Sequence, residues 1–240
     1  MTGPRSCLSQ ADLARYRRAQ TTARESLAAI GASIRPGATE KSLLADCRSL
    51  MDQRGATGYW WFGVPAVVLA GPRLRNSVEG DVYQPSDTPI ADDDMVTIDV
   101  APEINGYWGD CARSFFLSGG GLVPPETAGP EQAEGMAAEA ALHARLVAIA
   151  RPDMTFQDLY FEVNTLVQDL GFLNLDFLRN YGHDIGQDVH ARTFLDASCL
   201  ERLDSVPMFT FEPHIGRAGS RLAFKHEEIY LFDGSHLKVL

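Results

Sequence analysis

The residues best suited to chemistry in this chain are carboxylates placed inside apolar strand sequence. In MVTIDVAPEINGYWGDCARSFFL (95–117), Asp99 and Asp110 lie on either side of an Asn105-Gly106 turn signal. A two-residue hairpin turn there sets Ile104 opposite Tyr107, Ala101 opposite Asp110 and Asp99 opposite Ala112. Side chains alternate between faces, so Asp99 and Asp110 share one face as diagonal neighbours, roughly 7–8 Å apart and within joint reach of one ion. A second segment, FTFEPHIGRAGSRLAFKHEEIYLF (209–232), repeats the arrangement: a turn at Gly219-Ser220 sets Glu212 opposite Glu227. Carboxylates crowded in a water-poor site repel one another and resist ionisation unless a cation or proton intervenes. Between the two segments lies NYGHDIGQDVHA (180–191), with His183 and His190. Their spacing of seven is not the helical i, i+4 metal pair, so they belong on strand and loop at different depths in one cleft. Gly182 and Gly186 flank His183 and permit close backbone approach. Any one of these residues alone reads as a turn, edge or core residue. Four carboxylates and a histidine on matching elements read as a metal site.

The elements that must position them form two similar sets. Leu13, Tyr16, Ala19, Ala23, Leu27 and Ile30 recur at three- and four-residue steps, predicting a helix over 10–33 with Ser9 as its N-cap. RPGAT breaks it, and Thr39 caps a helix over about 40–54 that ends near Gly55. Residues 58–74 are aromatic and β-branched and read as strand and loop, followed by an irregular polar connection (79–94) and the hairpin. SGGGLVPPETAGPE (118–131) reads as a flexible surface link. RPGATEKSLLADCRSLMDQRG (35–55) then aligns without gaps on RPDMTFQDLYFEVNTLVQDLG (151–171), with six identities in 21 positions. Each copy follows a helical segment, 10–33 or about 131–150, and precedes a β-rich stretch with an acidic hairpin. The expected architecture is α/β: one domain over 1–240, with αβ halves at about 10–117 and 130–232 related by a pseudo-twofold axis and a site between them.

Composition removes several classes. The 240 residues are 45% hydrophobic, enough for a substantial core, and carry a net charge of −11 with no basic block. Nucleic-acid and anionic-membrane partners are therefore not expected. The start has no apolar leader and no run approaches the roughly 18–20 residues of a membrane span. Cys7, Cys47, Cys111 and Cys199 are scattered without a CxxC pair and read as ordinary thiols of a cytoplasmic protein.

Taken together, IDVAPEINGYWGDCARSFF, GHDIGQDVH, FTFEPHI and FKHEE, in this order, resemble the pita-bread metallohydrolases, a family that includes methionine aminopeptidase, proline-specific aminopeptidase, prolidase and creatinase. RPGATE and RPDMTFQDL resemble its two helix starts. The resemblance implies a pita-bread fold of two pseudo-symmetric halves around two divalent ions. Asp99, Asp110, His183, Glu212 and Glu227 would be the ligands, with Asp110 and Glu227 bridging. It implies that His190 contacts substrate and stabilises the tetrahedral intermediate; on physical grounds Glu212 would also shuttle the proton of the attacking water. Two ions about 3.5–4 Å apart polarise a carbonyl and acidify water. Oxygen-rich ligation with one imidazole favours Mn, Fe or Co, with Zn as a further choice. Within KHEE, Glu228 is the alternative to Glu227.

The sequence also departs from the family. Its peptidases carry a histidine well before the first metal aspartate, whereas the first histidine here is His143. The corresponding segment, NSVEGDVYQP (76–85), offers Tyr83, Glu79 or Asn76 as stand-ins, with Tyr83 taken as the substrate contact. Asp184 stands where the common motif has Gly, and Ala191 where an acidic residue is frequent. An extra N-terminal domain of the prolidase type is not expected at this length. Three functions follow: a metal-dependent hydrolase of the aminopeptidase type, cleaving a peptide or amide C–N bond near an N-terminus; the same frame hydrolysing or eliminating from a small metabolite; and a binding protein that has lost catalysis. The expected partner is a small peptide or small-molecule substrate, and a homodimer is left open.

Overall fold

The structure, a computed structural model, describes residues 8–240; Cys7 and the expectation made for the first residues lie outside them. Helix α1 (Gln10–Ile30) begins where Asp12 N–H donates to Ser9 Oγ at 3.0 Å, satisfying one of the free amides of the first turn. Tyr16, Ala19, Ala23, Leu27 and Ile30 form its buried stripe. The α-helix ends at Ile30, and Gly31–Ser33 tighten into a single 3₁₀ turn. Helices α2 (Glu40–Gln53), α3 (Pro125–Ala128), α4 (Pro130–Ile149) and α5 (Phe156–Asp169) complete the set. Thr39 and Thr155 each close a capping box, with Ser42 and Asp158 returning the bond to the cap amide. The repeated RPxxT sequence thus starts the same local structure twice.

The strands are β1 (Gly58–Tyr59), β2 (Ala66–Ala70), β3 (Asp94–Val100), β4 (Pro102–Ile104), β5 (Tyr107–Trp108), β6 (Cys111–Ser118), β7 (Gly121–Val123), β8 (Leu173–Asn174), β9 (Phe209–Phe211), β10 (His214–Gly216), β11 (Phe224–Lys225), β12 (Glu228–Asp233) and β13 (His236–Val239). They form four antiparallel sheets, ordered β2-β3-β6-β7 and β1-β4-β5 early in the chain and β13-β12-β9 and β11-β10-β8 late in it. Each pair of sheets has its own core. Leu27, Leu43, Met51, Val68, Ile98 and Val100 pack in one, and Leu142, Phe156, Leu159, Val163, Phe209 and Phe211 in the other. A smaller cluster of Tyr16, Trp60, Trp108, Ile185, Met208 and Ile229 joins elements from both.

The first hairpin has the expected register: Ile104 pairs with Tyr107 and Asp99 with Ala112. Asn105 and Gly106 have φ of 51° and 84°, the left-handed pair of a type I′ turn. The ladder breaks between β4 and β3 because Ala101 N–H donates to Pro65 O instead of pairing with Asp110. The later hairpin holds the expected diagonal on either side of Glu212 and Glu227, with His214 opposite Lys225 and Phe211 opposite Glu228. The linking segment 118–131 differs from the flexible link expected. Gly119-Gly120 reverses β6 into β7, Leu117 pairs with Leu122, and the Pro124-Pro125 step starts α3. Glycine there serves a tight turn rather than mobility.

The two sets of sheets meet along β6. Glu227 N–H donates to Ala112 O (3.1 Å), and the Ser114 hydroxyl contacts both the N–H and the C=O of Lys225 (3.1 and 3.2 Å). No helix among the described residues is long and apolar enough to cross a membrane.

Candidate metal centre

This seam brings all five expected ligands together. Asp99 comes from β3, Asp110 from the break before β6, His183 from an isolated bridge to Phe194, Glu212 from the end of β9, and Glu227 from the step between β11 and β12. Their ligand atoms form two groups, Asp110–His183–Glu227 and Asp99–Glu212–Glu227, each with atoms within 4.8 Å of one another. Glu227 belongs to both. Glu228 does not compete for that place. It accepts from Arg24 Nε (2.9 Å) and from Arg113, and its carboxyl is held below the usual range: burial opposes the shift, and the two guanidiniums outweigh it.

Local structure fixes His183 and Glu212 side by side. Thr210 N–H donates to His183 O (2.7 Å) and Glu212 N–H to Tyr181 O (3.0 Å), so 181–183 and 210–212 run as an antiparallel pair. The approach requires Gly182, whose φ is 151°; a Cβ there would lie 2.1 Å from Thr210 O. Thr210 Oγ1 accepts from His183 N–H (3.0 Å) and lies 3.2 Å from Glu212 Oε1. Asp110 is held from α1: the buried Gln20 amide donates to Asp110 O (2.7 Å) and accepts from Asp110 N–H (2.8 Å), as a neighbouring strand would.

The electrostatics call for a cation. Among the described residues neither carboxylate oxygen of Glu227 has a hydrogen-bond partner, and the residue is fully buried. Burial, then Asp110 and Glu212, pushes its pKa well above the usual carboxylate range. Asp110 is raised in the same way, by burial and then by Asp99 and Glu212. Burial lowers His183 to about 4, so it is neutral at pH 7. Its Nδ1 lies 2.9 Å from Asp184 O, which fixes the proton there and turns the bare Nε2 toward Asp110 Oδ2 (3.6 Å) and Glu212 Oε1 (3.5 Å). A lone pair facing two carboxylates is unfavourable unless a positive ion sits between them. The donor set, three oxygens and a nitrogen around a shared orphan carboxylate, fits divalent metal.

One cation is already present. Lys225 Nζ lies 2.6 Å from Asp99 Oδ2 and 2.8 Å from Glu212 Oε2. Burial would lower its pKa, but Asp99, Glu212 and Glu227 outweigh that and raise it. Glu212 is correspondingly held at about 2: burial opposes the shift, and Lys225 and His183 prevail. The sequence reading missed Lys225, although strand alternation puts it on the face of Glu227. It also missed Gln20, whose signal is an amide beside the apolar stripe of α1, and Thr210.

A cavity opens onto the centre, lined in part by Trp60, Trp61, Asn76, Glu79, Arg192 and Phe194. Trp60 stacks on Trp108 (4.5 Å between ring centres) and sets its edge against His183 (5.4 Å). Two expected contacts do not reach this space. Tyr83 is buried with its hydroxyl between Val68 N–H and Val68 O (2.9 Å each), completing the backbone of β2, and does not line the cavity. His190 is exposed, packs its ring against Phe62 at 5.7 Å and is not among the lining residues either; Arg192, two residues on, is. Asn76 and Glu79, the other stand-ins for the upstream histidine, do line the cavity.

The fold has clear counterparts. X-Pro aminopeptidase of Thermotoga maritima superposes with a TM-score of 0.80 at 21% identity, covering 98% of this chain and 62% of that one. Prolidase of Pyrococcus furiosus superposes at 0.79 and 22%, covering 98% and 65%. The architecture is the pita-bread fold. In sequence, a methionine aminopeptidase of Chlamydia muridarum is 28% identical over 136 residues, 55% of this chain; the match spans 43% of that relative's length. Residues 14–233 match metallopeptidase family M24, and the chain belongs to that family.

Proposed function

We propose that the protein is a metal-dependent hydrolase of the aminopeptidase type, cleaving a peptide or amide C–N bond near an N-terminus. The observation that carries this reading is Glu227, a buried carboxylate with no hydrogen-bond partner among the described residues, shared by two ligand groups. Two divalent ions, with Mn, Fe or Co favoured by the oxygen-rich set, would be held by Asp99, Glu212 and Glu227 on one side and Asp110, His183 and Glu227 on the other. Bound there, such ions supply Lewis-acid polarisation of a carbonyl and acidify water.

The chain's own groups do the rest. His183 presents a neutral Nε2 because its Nδ1 proton is committed to Asp184 O. Glu212 stays ionised and is placed to accept a proton from water and pass it to the leaving amine. Trp60 and Phe194 cover the imidazole and limit water at that side. The aminopeptidase and prolidase names of the relatives support the bond class. The test is elemental analysis of purified protein, followed by Xaa-Pro, Met-Xaa and generic aminoacyl substrates with Mn, Co and Fe. Turnover that disappears with chelator is expected; no turnover on any of them overturns the reading.

A second reading, hydrolysis or elimination on a small metabolite, is favoured by one observation. The 76–79 wall of the cavity presents Asn76, Ser77, Val78 and Glu79, with no histidine to meet a peptide's reacting amide.

A further inference from the structure

The histidines around the centre differ in what their second nitrogen does. His183 turns its bare nitrogen to the metal ligands, and His143 has both of its own committed, Nδ1 with the Tyr230 hydroxyl (2.8 Å) and Nε2 with His226 O (3.0 Å). His214, at the start of β10, has only one committed. Its Nε2 lies 2.9 Å from Leu74 O, and a carbonyl can only accept, so that nitrogen carries the proton. Burial, and then the ammonium of Lys225 opposite it on β11, disfavour a second proton on the ring. Nδ1 is left as a bare lone pair. Among the described residues it has no hydrogen-bond partner, and it is not one of the side-chain atoms sealed from solvent without one. It therefore opens onto the cavity that His214 lines.

The groups beside it are acceptors too. Leu175 N–H donates to His214 O (2.8 Å), which brings Asp176 alongside. Asp176 Oδ1 accepts from Leu178 N–H (2.9 Å), Asn180 N–H (3.2 Å) and the Asn180 side-chain amide (3.1 Å). Its Oδ2 accepts from the Ser77 hydroxyl (3.2 Å), whose oxygen accepts in turn from Phe177 N–H (3.1 Å). The hydroxyl proton of Ser77 is thus spent. Asp176 and Ser77 line the same cavity as His214, and together these side chains present lone pairs and no free donor.

The lone pairs lie at the inner end of the cavity. His214 is 6% exposed, whereas Phe177 and Leu178, which line the same space, are 45% and 48% exposed. His214 follows Glu212 by two residues, roughly 6–7 Å in extended backbone, so this end adjoins the Asp99–Glu212–Glu227 group. The α-nitrogen of a substrate's terminal residue is separated from the reacting carbonyl carbon by a single atom and stays at the centre itself. A side chain is what reaches further.

We propose that His214, Asp176 and Ser77 form a side-chain subsite that selects an N-terminal residue carrying a hydrogen-bond donor, such as the hydroxyl of threonine or the amide of asparagine, over an apolar residue of the same shape. The inference rests on the amide-hydrolase reading above. A donor side chain pairs the lone pairs as it enters. An apolar isostere shuts water out and leaves them unpaired, and that penalty is the source of discrimination.

The test uses the hydroxamates of threonine and valine, and of asparagine and leucine, with the Mn-loaded protein. Each pair is matched in shape, and the hydroxamate head binds metal without any need for turnover. Calorimetric Kd is measured for all four, and kcat and KM for the corresponding Xaa-Pro dipeptides. Wild type is expected to favour threonine over valine and asparagine over leucine by roughly tenfold or more in Kd. His214→Phe keeps a ring but no acceptor and should bring both ratios to within about twofold. His214→Gln, which keeps an acceptor, should retain part of each ratio. A purely structural role for His214 would weaken both members of a pair alike and leave the ratios unchanged. Equal affinity within the pairs in wild type, an apolar preference, binding of none, or ratios that survive in His214→Phe overturn the proposal. The wild-type comparison stands even if a variant fails to fold. Ratios that follow His214 with no peptide cleaved keep this inference and remove the hydrolase reading. Cleavage without a preference in either pair does the reverse.

Discussion

Lys225 Nζ sits 2.6 Å from Asp99 Oδ2 and 2.8 Å from Glu212 Oε2, using oxygens from two of the three carboxylates in one ligand group. The protein thus has an internal counter-ion inside its own metal centre. Its backbone is pinned by Ser114, so the ammonium approaches from a fixed strand position.

An ammonium and a divalent ion compete for the same lone pairs. Lys225→Gln is expected to tighten Mn binding at the Asp99–Glu212–Glu227 group by roughly tenfold, about 1.4 kcal/mol. It should also lower the melting temperature of chelated protein, since breaking a buried pair from one side leaves charge uncompensated. Calorimetry and thermal melts read the two effects separately. Unchanged affinity would show that Lys225 moves aside without cost.

Chelated protein should lose stability as pH rises. Asp110 and Glu227 have folded pKa values raised well above their ordinary ones. Such groups contribute their full stability below about pH 4, where both folded and unfolded forms are protonated, and lose it as pH climbs toward the raised values. Glu212, held at about 2, has the opposite sign, and its contribution is lost only as pH falls through that value. Melting temperature in chelator should therefore fall from pH 5 to pH 8, and added Mn should restore it. A flat profile in chelator would remove the claim that these carboxylates are frustrated.

Gln20→Leu leaves the N–H and C=O of Asp110 buried without partners. The expected cost is about 1–3 kcal/mol for each unsatisfied group. Metal affinity should fall roughly 10–100-fold, as when an outer partner of a ligand is removed. Chemical denaturation of the chelated variant separates the first effect, and metal titration the second. Affinity at the wild-type level would mean that Asp110 is oriented by its strand alone.

Gly182→Ala places a methyl group 2.1 Å from Thr210 O at a φ of 151°. The 181–183 and 210–212 segments must then separate, moving His183 from Glu212. A loss of about 3 kcal/mol or more is expected, of the size reserved for overpacking combined with backbone strain. A melt within a few degrees of wild type would count against so tight an approach.

Much of this centre was visible before folding because it rests on local rules. The alternation around Asn105-Gly106 and the two RPxxT starts each predict their element and its register from a handful of neighbours, and both hairpins keep the expected diagonal. Gln20 and Lys225 were not visible in that way. Each acts on a residue distant in sequence, Gln20 on Asp110 and Lys225 on Asp99, and a lone amide or cation in a strand or helix carries no sign of its target. Tyr83 illustrates the converse. Its position in the chain matched a substrate contact, but a tyrosine hydroxyl can also complete a strand backbone, and Val68 takes both its bonds.

The adjacent glutamates of KHEE have a consequence for how the chain avoids misalignment. Glu227 faces the centre and Glu228 is gripped by Arg24 from α1 and Arg113 from β6. If the later hairpin slipped by one residue along β6, Glu228 would enter the centre and the two guanidiniums would lose their carboxylate. The arginine grip therefore works as a frame lock. It lets two chemically identical neighbours be told apart, one for an ion and one for the seam, before any ion arrives.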